Sequence, residues 1–416
     1  MMNERALLKK LKTEMEQEFN DDLVPYWTNH AIDEVNGGFI GQITYDNQKN
    51  YDASKGVILN ARLLWAFSAT CKIYNTPDLK RSAKRAYEYL LKYFLDKEYG
   101  GFYWIVNAKG IVEDDRKHIY AQAFCIYGLV EYFSFTKDRQ ALKLAYDIFH
   151  LIENNATDSE NGGYFEAYNR KWELNGDVRL SDKDENEPKS MNTHLHILEA
   201  YTNLYRFAPN DRLKVRLEEL VHIFCDNIIS TDETTLVNFM DVDWSPKSDV
   251  ISYGHNIEAS WLLLEAAEVL NQPMLIERIK SVAINLSNAV LKDGVDVDGG
   301  LLNEASSTAL IDPNKDWWPQ AEAIIGFLNA YELSGEVKFL EAAINSWEFI
   351  KRFMFDEEYG EWYEKVSRNG TPFSKMDKVR SWKGPYHNMR AVIEIVARVE
   401  RITKESLVES NETERV

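Results

Sequence analysis

The 416-residue chain has little cysteine, no surplus of positive charge and no stretch that reads as a membrane span. Cys71, Cys125 and Cys225 are odd in number and far apart within apolar helical patterns. That excludes a disulfide framework or a cysteine metal site and predicts buried thiols. Lys and Arg number 48 against 67 Asp and Glu, a net charge of −19, so neither nucleic acid nor an anionic membrane surface is an expected partner. The opening segment, MMNERALLKKLKTEMEQEF, is charged and amphipathic and lacks the continuous apolar core and cleavage site of a signal peptide. A cytoplasmic protein is therefore expected. Also missing are a Pro-, Gly- or Ser-rich linker, a glycine-rich phosphate loop and a G-x-S-x-G nucleophile elbow.

What is present is a repeat. Gly-Gly followed by an aromatic or aliphatic residue recurs at Gly37-Gly38-Phe39, Gly100-Gly101-Phe102, Gly162-Gly163-Tyr164 and Gly299-Gly300-Leu301, with a degenerate copy at Gly360-Glu361-Trp362. One gap is about twice the others and has room for a further unit near Phe239-Met240-Asp241. Each unit carries two stretches with apolar residues at helical spacing and then a turn-rich segment. The paired helices read as 59–74 with 80–96, 118–136 with 139–156, 192–208 with 212–230, 253–270 with 274–293, and 316–334 with 337–355. A sixth pair needs the N-terminal helix, 5–20, against the C-terminal helix, 387–404. A helical hairpin cannot bury its apolar face alone, so six of them are expected to close into an all-α (α/α)6 barrel with short β-hairpins at one end. The expected organisation is one catalytic domain over 1–404 and a polar tail over 405–416. The outer helices leave no unambiguous apolar stripe, which predicts a monomer or a weak homo-oligomer.

In such a ring the unusual polar residues should gather where the inner helices begin. Arg62, then His118 with Tyr120, then Asn192, His194 and His196, then His255, Asn256 and Glu258, then Trp317, Trp318, Gln320 and Glu322, then Trp382, Tyr386, His387 and Arg390 all occupy first turns. They are expected to meet in one pocket. Imidazole titrates nearest neutrality, so a pair such as His255 and His387 suits reversible proton transfer. His255 and Glu258 share one helix face at i,i+3. Arg62 offers a fixed cation for an enolate-like oxygen. Trp317, Trp318, Trp362 and Trp382 offer flat faces for a sugar ring. His194 and His196 at i,i+2 point to different faces, and no third ligand stands at metal spacing, so no metal is expected. Glu258 and Glu322 are the carboxylates a glycoside hydrolase would need, but hydrolysis gives no use to the histidines.

Four segments, Met191–Tyr201, Ser252–Leu263, Trp317–Glu322 and Trp382–Asn388, resemble signature segments of the N-acylglucosamine 2-epimerase superfamily, and the likeness runs over residues 5–404. The resemblance implies an (α/α)6 barrel that, without cofactor, epimerises C2 of the reducing-end glucose of β-1,4-linked disaccharides, such as cellobiose and lactose. It implies His255 and His387 as the acid/base pair and a cis-enediolate intermediate. It further implies that His196 and Arg62 hold the O1/O2 edge, with Tyr120, Asn192, Glu258, Glu322, Trp318 and Trp382 binding substrate. Relatives of the same superfamily act on N-acylglucosamine or mannose, as 2-epimerases or aldose–ketose isomerases, so a monosaccharide substrate is the alternative. The charged segment 180–190 reads either as a lid or as a solvated loop.

Overall fold

The computed structural model describes residues 4–413, with side chains described through Lys404. Twelve helices are present among them. Six form the inner wall: α2 (Val57–Tyr74), α4 (Ile119–Thr136), α6 (Met191–Phe207), α8 (Tyr253–Leu270), α10 (Trp317–Ser334) and α12 (Tyr386–Thr413). Each packs on the next, and α12 closes on α2. The outer wall is α1 (Glu4–Glu18), α3 (Pro77–Tyr89), α5 (Arg139–Asn155), α7 (Asp211–Ile223), α9 (Pro273–Ala289) and α11 (Val337–Phe353). As the pattern predicts, α1 pairs with α12 across the chain ends. Helix α12 runs to Thr413, beyond the expected boundary at 404.

Composition separates the two walls. Helix α2 is buried without a break from Val57 to Cys71, because both of its sides face protein. Helix α5 buries Ala141, Ala145, Ile148, Phe149 and Ile152, a stripe at helical spacing, together with Glu153, and turns Lys143, Asp147 and Asn154 to water. Tight turns join the walls at Lys137, Asn271 and Gly335, each left-handed. Asp138 and Asn210 cap the outer helices that follow or begin nearby, through Gln140 N at 2.8 Å and Leu213 N at 2.9 Å.

The chain returns along each outer helix to a narrow hairpin, six among the described residues: Ile32 pairs with Phe39, Leu95 with Phe102, Thr157 with Tyr164, Ile229 with Leu236, Val295 with Leu301, and Phe355 with Trp362. The Gly-Gly pairs sit at their tips. Gly38 is at φ +66°, and a Cβ there would lie 2.6 Å from the Tyr89 ring. The hidden unit is at Ile229–Leu236, a few residues before the expected Phe239-Met240-Asp241. Phe239 and Met240 instead form a strand paired with Lys189 and Ser190.

Short antiparallel pairs then bind neighbouring units where the inner helices start: Lys55 opposite Val106, Lys117 opposite Tyr168, Lys189 opposite Met240, Ile251 opposite Ala305, and Lys315 opposite Val366. Ile43 opposite Val379 closes the circle. Most of these strands also send a buried lysine into the preceding hairpin. Lys55 Nζ donates to Asp33 Oδ2 and to the Gly37 carbonyl, both at 2.7 Å, while Asp33 Oδ1 accepts the Val35 and Asn36 amides. Lys189 repeats this with Asp158 and Gly162 at 2.8 Å. Both partners of the Lys55 pair are 1% exposed, so removing one charge strands the other in a dry interior. Asp33→Asn is expected to lower unfolding stability by about 3–5 kcal/mol, read from chemical denaturation.

Candidate active site

One cavity of about 380 Å3 opens where the inner helices begin, within the size range of small-molecule sites. Position in the helix decides which side chains reach it. Counting each helix from its first residue, and α12 from Pro385, whose carbonyl accepts the Met389 amide at 2.9 Å, the sixth residues are Arg62, Phe124, His196, Glu258, Glu322 and Arg390. The third residues of α8 and α12 are His255 and His387. Second residues supply Tyr120, Asn192 and Trp318, and Gly254 at that place on α8 leaves room for the Trp318 ring, which a Cβ would meet at 2.6 Å.

Of the expected residues, Arg62, Tyr120, Asn192, His196, His255, Glu258, Trp317, Trp318, Trp382 and His387 line the cavity. Glu322 does not; it lies behind His387, with its Oε1 at 2.7 Å from His387 Nδ1. Trp362 is core, packed on Trp347 and Phe355. His118 and His194 are also structural. His194 is a fourth residue and accepts the Tyr164 amide at 3.0 Å, as Gln122 does for Phe102 at 2.8 Å, Asn256 for Leu236 at 3.2 Å and Gln320 for Leu301 at 2.6 Å. Fourth residues therefore clamp the hairpins. His118 Nε2 meets the Val178 carbonyl at 3.1 Å, anchoring the chain just before the charged segment. Leu180, Ser181, Asp182, Lys183 and Asp184 of that segment form one wall of the cavity.

His255 and His387 pack against the same Trp318 ring, with centroids at 4.8 and 5.6 Å. Each has its Nδ1 engaged, His255 by Ser252 Oγ at 2.8 Å and His387 by Glu322, which leaves Nε2 for a ligand. His196 Nδ1 meets Glu199 Oε2 at 2.9 Å. Arg62 donates to Tyr120 Oη at 2.8 Å and to the Trp382 carbonyl at 3.1 Å.

Beneath this layer lies a charge network around Arg390, which the sequence places among the pocket's first turns without a role; of its members only Glu199 was not marked by the sequence pattern. The Arg390 guanidinium donates to Glu199, Glu258 and Glu322, and Tyr386 Oη also donates to Glu199. Oxygen and nitrogen atoms of Glu258, Glu322 and His387 converge to within 4.8 Å of one another, the spacing of a metal site. Arg390 already supplies the cation there, bonding both carboxylates through Nη2. The missed signal was a charged residue on a helix with no solvent face, which has to be paired inside. At the rim, Arg380 grips Glu364 through two bonds of 3.0 and 2.8 Å from Nε.

Burial sets the protonation. It pushes His255 down to about 4 against the pull of Glu258, and pushes His387 well below the usual histidine range, helped by the charges of Arg390 and Arg62. Burial raises the Glu322 carboxyl to about 8, with Arg390 opposing and Glu258 adding to the rise. Burial would raise Glu199 as well, but Arg390 and His196 hold it below the ordinary carboxylate range. At neutral pH His255 and His387 are thus neutral, while the Glu322 carboxyl beside His387 Nδ1 keeps its proton.

Comparison with known proteins decides the family. The model of the N-acylglucosamine 2-epimerase (GlcNAc 2-epimerase) family matches residues 37–391. The chain belongs to that family. A cellobiose 2-epimerase from Bacteroides fragilis is 43% identical to this family member over 387 residues, covering 93% of this chain and 98% of the relative. One from Dictyoglomus turgidum is 39% identical, covering 94% and 100%. The solved structure of cellobiose 2-epimerase from Bacillus thermoamylovorans superposes with a TM-score of 0.90 at 38% identity, covering 94% of this chain and all of that one. This GlcNAc 2-epimerase family protein is accordingly a helical-barrel carbohydrate epimerase, an isomerase. No helix among its described residues is long and apolar enough to cross a membrane.

Proposed function

We propose that the enzyme epimerises C2 of the reducing-end glucose of β-1,4-linked disaccharides, turning cellobiose into glucosyl-mannose and lactose into epilactose, by proton transfer alone. The observation that carries the reading is the placement of His255 and His387 around one tryptophan, one neutral and the other backed by a carboxyl that retains its proton. A two-base epimerisation needs that combination, a base on one side and an acid on the other. The names of the relatives supply the disaccharide.

In this reading the Nε2 proton of one imidazole goes to the ring oxygen as the C1–O5 bond breaks, the other neutral imidazole takes the O1 hydroxyl proton, and the hemiacetal opens to the aldehyde; exchange of that proton with solvent leaves the base neutral again. The neutral imidazole then removes H2. The C2–H electron pair becomes the C1=C2 bond of a cis-enediolate, and the carbonyl pair moves onto O1. Arg62 and His196 hold the O1/O2 edge, where that charge develops. Rotation about C2–C3 presents the other face, a proton returns to C2, and the carbonyl reforms. Glu322 serves the acid arm: as His387 gives up its Nε2 proton, Nδ1 takes the proton of the carboxyl. Trp318 and Trp382 offer apolar faces to the sugar rings, and Tyr120, Asn192 and Glu258 take their hydroxyls.

Incubating chelator-treated protein with cellobiose in D2O and following the products by NMR tests this directly. Deuterium at C2 of a mannose-configured reducing end is expected. Inert cellobiose with turnover of mannose in the same buffer would move the substrate to the monosaccharide class, and deuterium at C1 of a ketose product would mean isomerisation.

A further inference from the structure

The sixth hairpin breaks the repeat at a place where the backbone resists it. The residue before the aromatic or aliphatic position is Gly38, Gly101, Gly163 or Gly300 in the units that keep the Gly-Gly pair. In the sixth it is Glu361, left-handed at φ +61° and wholly buried. A side chain held in that region calls for a reason outside the turn itself. Its carboxylate supplies one. Glu361 Oε1 accepts from Lys383 Nζ at 2.6 Å, from Asn388 Nδ2 at 2.7 Å and from the Trp362 amide at 3.0 Å, and Oε2 accepts from the Trp27 indole.

The lysine is additional as well. The role played by Lys55 and Lys189 in their units belongs here to Lys378, which pairs with Asp356 and the Gly360 carbonyl. Lys383 is a second buried cation, fully enclosed together with Glu361. Its own backbone closes the turn from Arg380 to Lys383 with bonds of 3.1 and 3.3 Å, and that turn carries Trp382 to the cavity. Its ammonium lies 5.3 Å from the centre of the Trp317 ring, which stands edge-on to His387 at 6.2 Å. Asn388, the other partner of Glu361, directly follows His387. One carboxylate therefore ties together the turn bearing Trp382, the tryptophan beside His387 and the first turn of α12.

We propose that Glu361, through Lys383 and Asn388, is a positioning residue for His387 and Trp382. It touches no substrate and acts by fixing where the acid/base imidazole and the sugar wall stand. The proposal rests on the reading of His387 as an acid/base arm. Its test therefore reads the position of His387 as well as turnover.

Two variants are compared with the parent. Glu361→Gly combined with Lys383→Met restores the glycine the turn favours and leaves no lone buried charge. Glu361→Gln keeps the length and the acceptor oxygen. For the double variant kcat is expected to fall about a hundredfold, more than KM rises, and for Glu361→Gln about tenfold, with native circular dichroism in both. The 15N imidazole signals of His387 are expected to shift and broaden while those of His194, clamped in another unit, stay in place. Glu361→Gln strands the Lys383 charge and is expected to lower the melting temperature in either case; a purely structural role would leave the folded fraction as active as the parent. Turnover per folded molecule within about twofold of the parent, or an unmoved His387 signal, overturns the proposal. If the double variant fails to fold, Glu361→Gln decides by the same two readouts. Should the parent turn over neither cellobiose nor mannose, the functional reading fails, and the NMR comparison still tests the positioning.

Discussion

Replacing His387 by Phe is expected to leave a folded protein whose rate of C2 epimerisation falls by about 10²–10⁴-fold, the range a positioned proton-transfer group contributes. Phe matches the ring, so Trp317, Trp318 and Tyr386, which all contact it edge-on or tilted, keep a neighbour. Glu322 loses its Nδ1 partner but retains the Arg390 and Trp261 donors on its two oxygens. His255→Phe should cost a comparable factor, because its Nε2 serves the other side of the same reaction. The two losses should not add in the double variant, since either one already halts the proton relay. Solvent deuterium distinguishes the arms: a variant that still removes H2 but cannot return a proton to the opposite face washes deuterium into unreacted glucose without forming mannose. Full epimerase activity in both single variants would refute the assignment.

Much of this arrangement was legible before any coordinates. The six-fold count followed from the spacing of the Gly-Gly pairs, because a left-handed residue at a hairpin tip favours glycine. The fourth hairpin was marked only by the gap and expected a few residues too late, because it is built from other parts. Ser230 Oγ takes the Thr234 and Thr235 amides at 3.2 and 3.0 Å, and only Glu233, at φ +57°, bears the left-handed strain. Convergence of first turns on one pocket was also readable, but facing was not. His194 and His196 stand two residues apart, and only the helix register sends one to the hairpin and the other to the cavity. The resemblance implied Glu322 as a substrate ligand beside Glu258; the difference is the imidazole of His387, brought in front of it from another helix. Glu199 and Arg390 sit within apolar-looking runs, so their partnership appears only when helices far apart in sequence are packed side by side.

That partnership makes Arg390 the second position where a large effect is expected. Replacing it by Gln, which has no charge, leaves Glu199, Glu258 and Glu322 facing one another in a space where all are 3% exposed or less. Losing one member of a buried ion network costs about 3–5 kcal/mol, so a strong drop in stability is expected. The chemical consequence can be read separately in whatever fraction folds. In the parent, activity should rise with pH through about 4, as His255 loses its proton, and fall through about 8, as the Glu322 carboxyl loses the proton it supplies to His387. Arg390 is what holds the Glu322 carboxyl down to that value against burial and Glu258. Without the guanidinium the carboxyl keeps its proton longer, so the alkaline limb of the profile should move upward. The acid limb belongs to His255, whose shift comes from its own burial, and should stay in place. Arg390→Lys retains a charge but loses the fork that reaches Glu199 through one nitrogen and Glu258 with Glu322 through the other. It should therefore recover part of the stability while leaving His196, which depends on Glu199 for its orientation, poorly placed and kcat low. An alkaline limb that stays at the parental pH in the Gln variant would show that Arg390 stabilises the fold without setting the proton balance of the site.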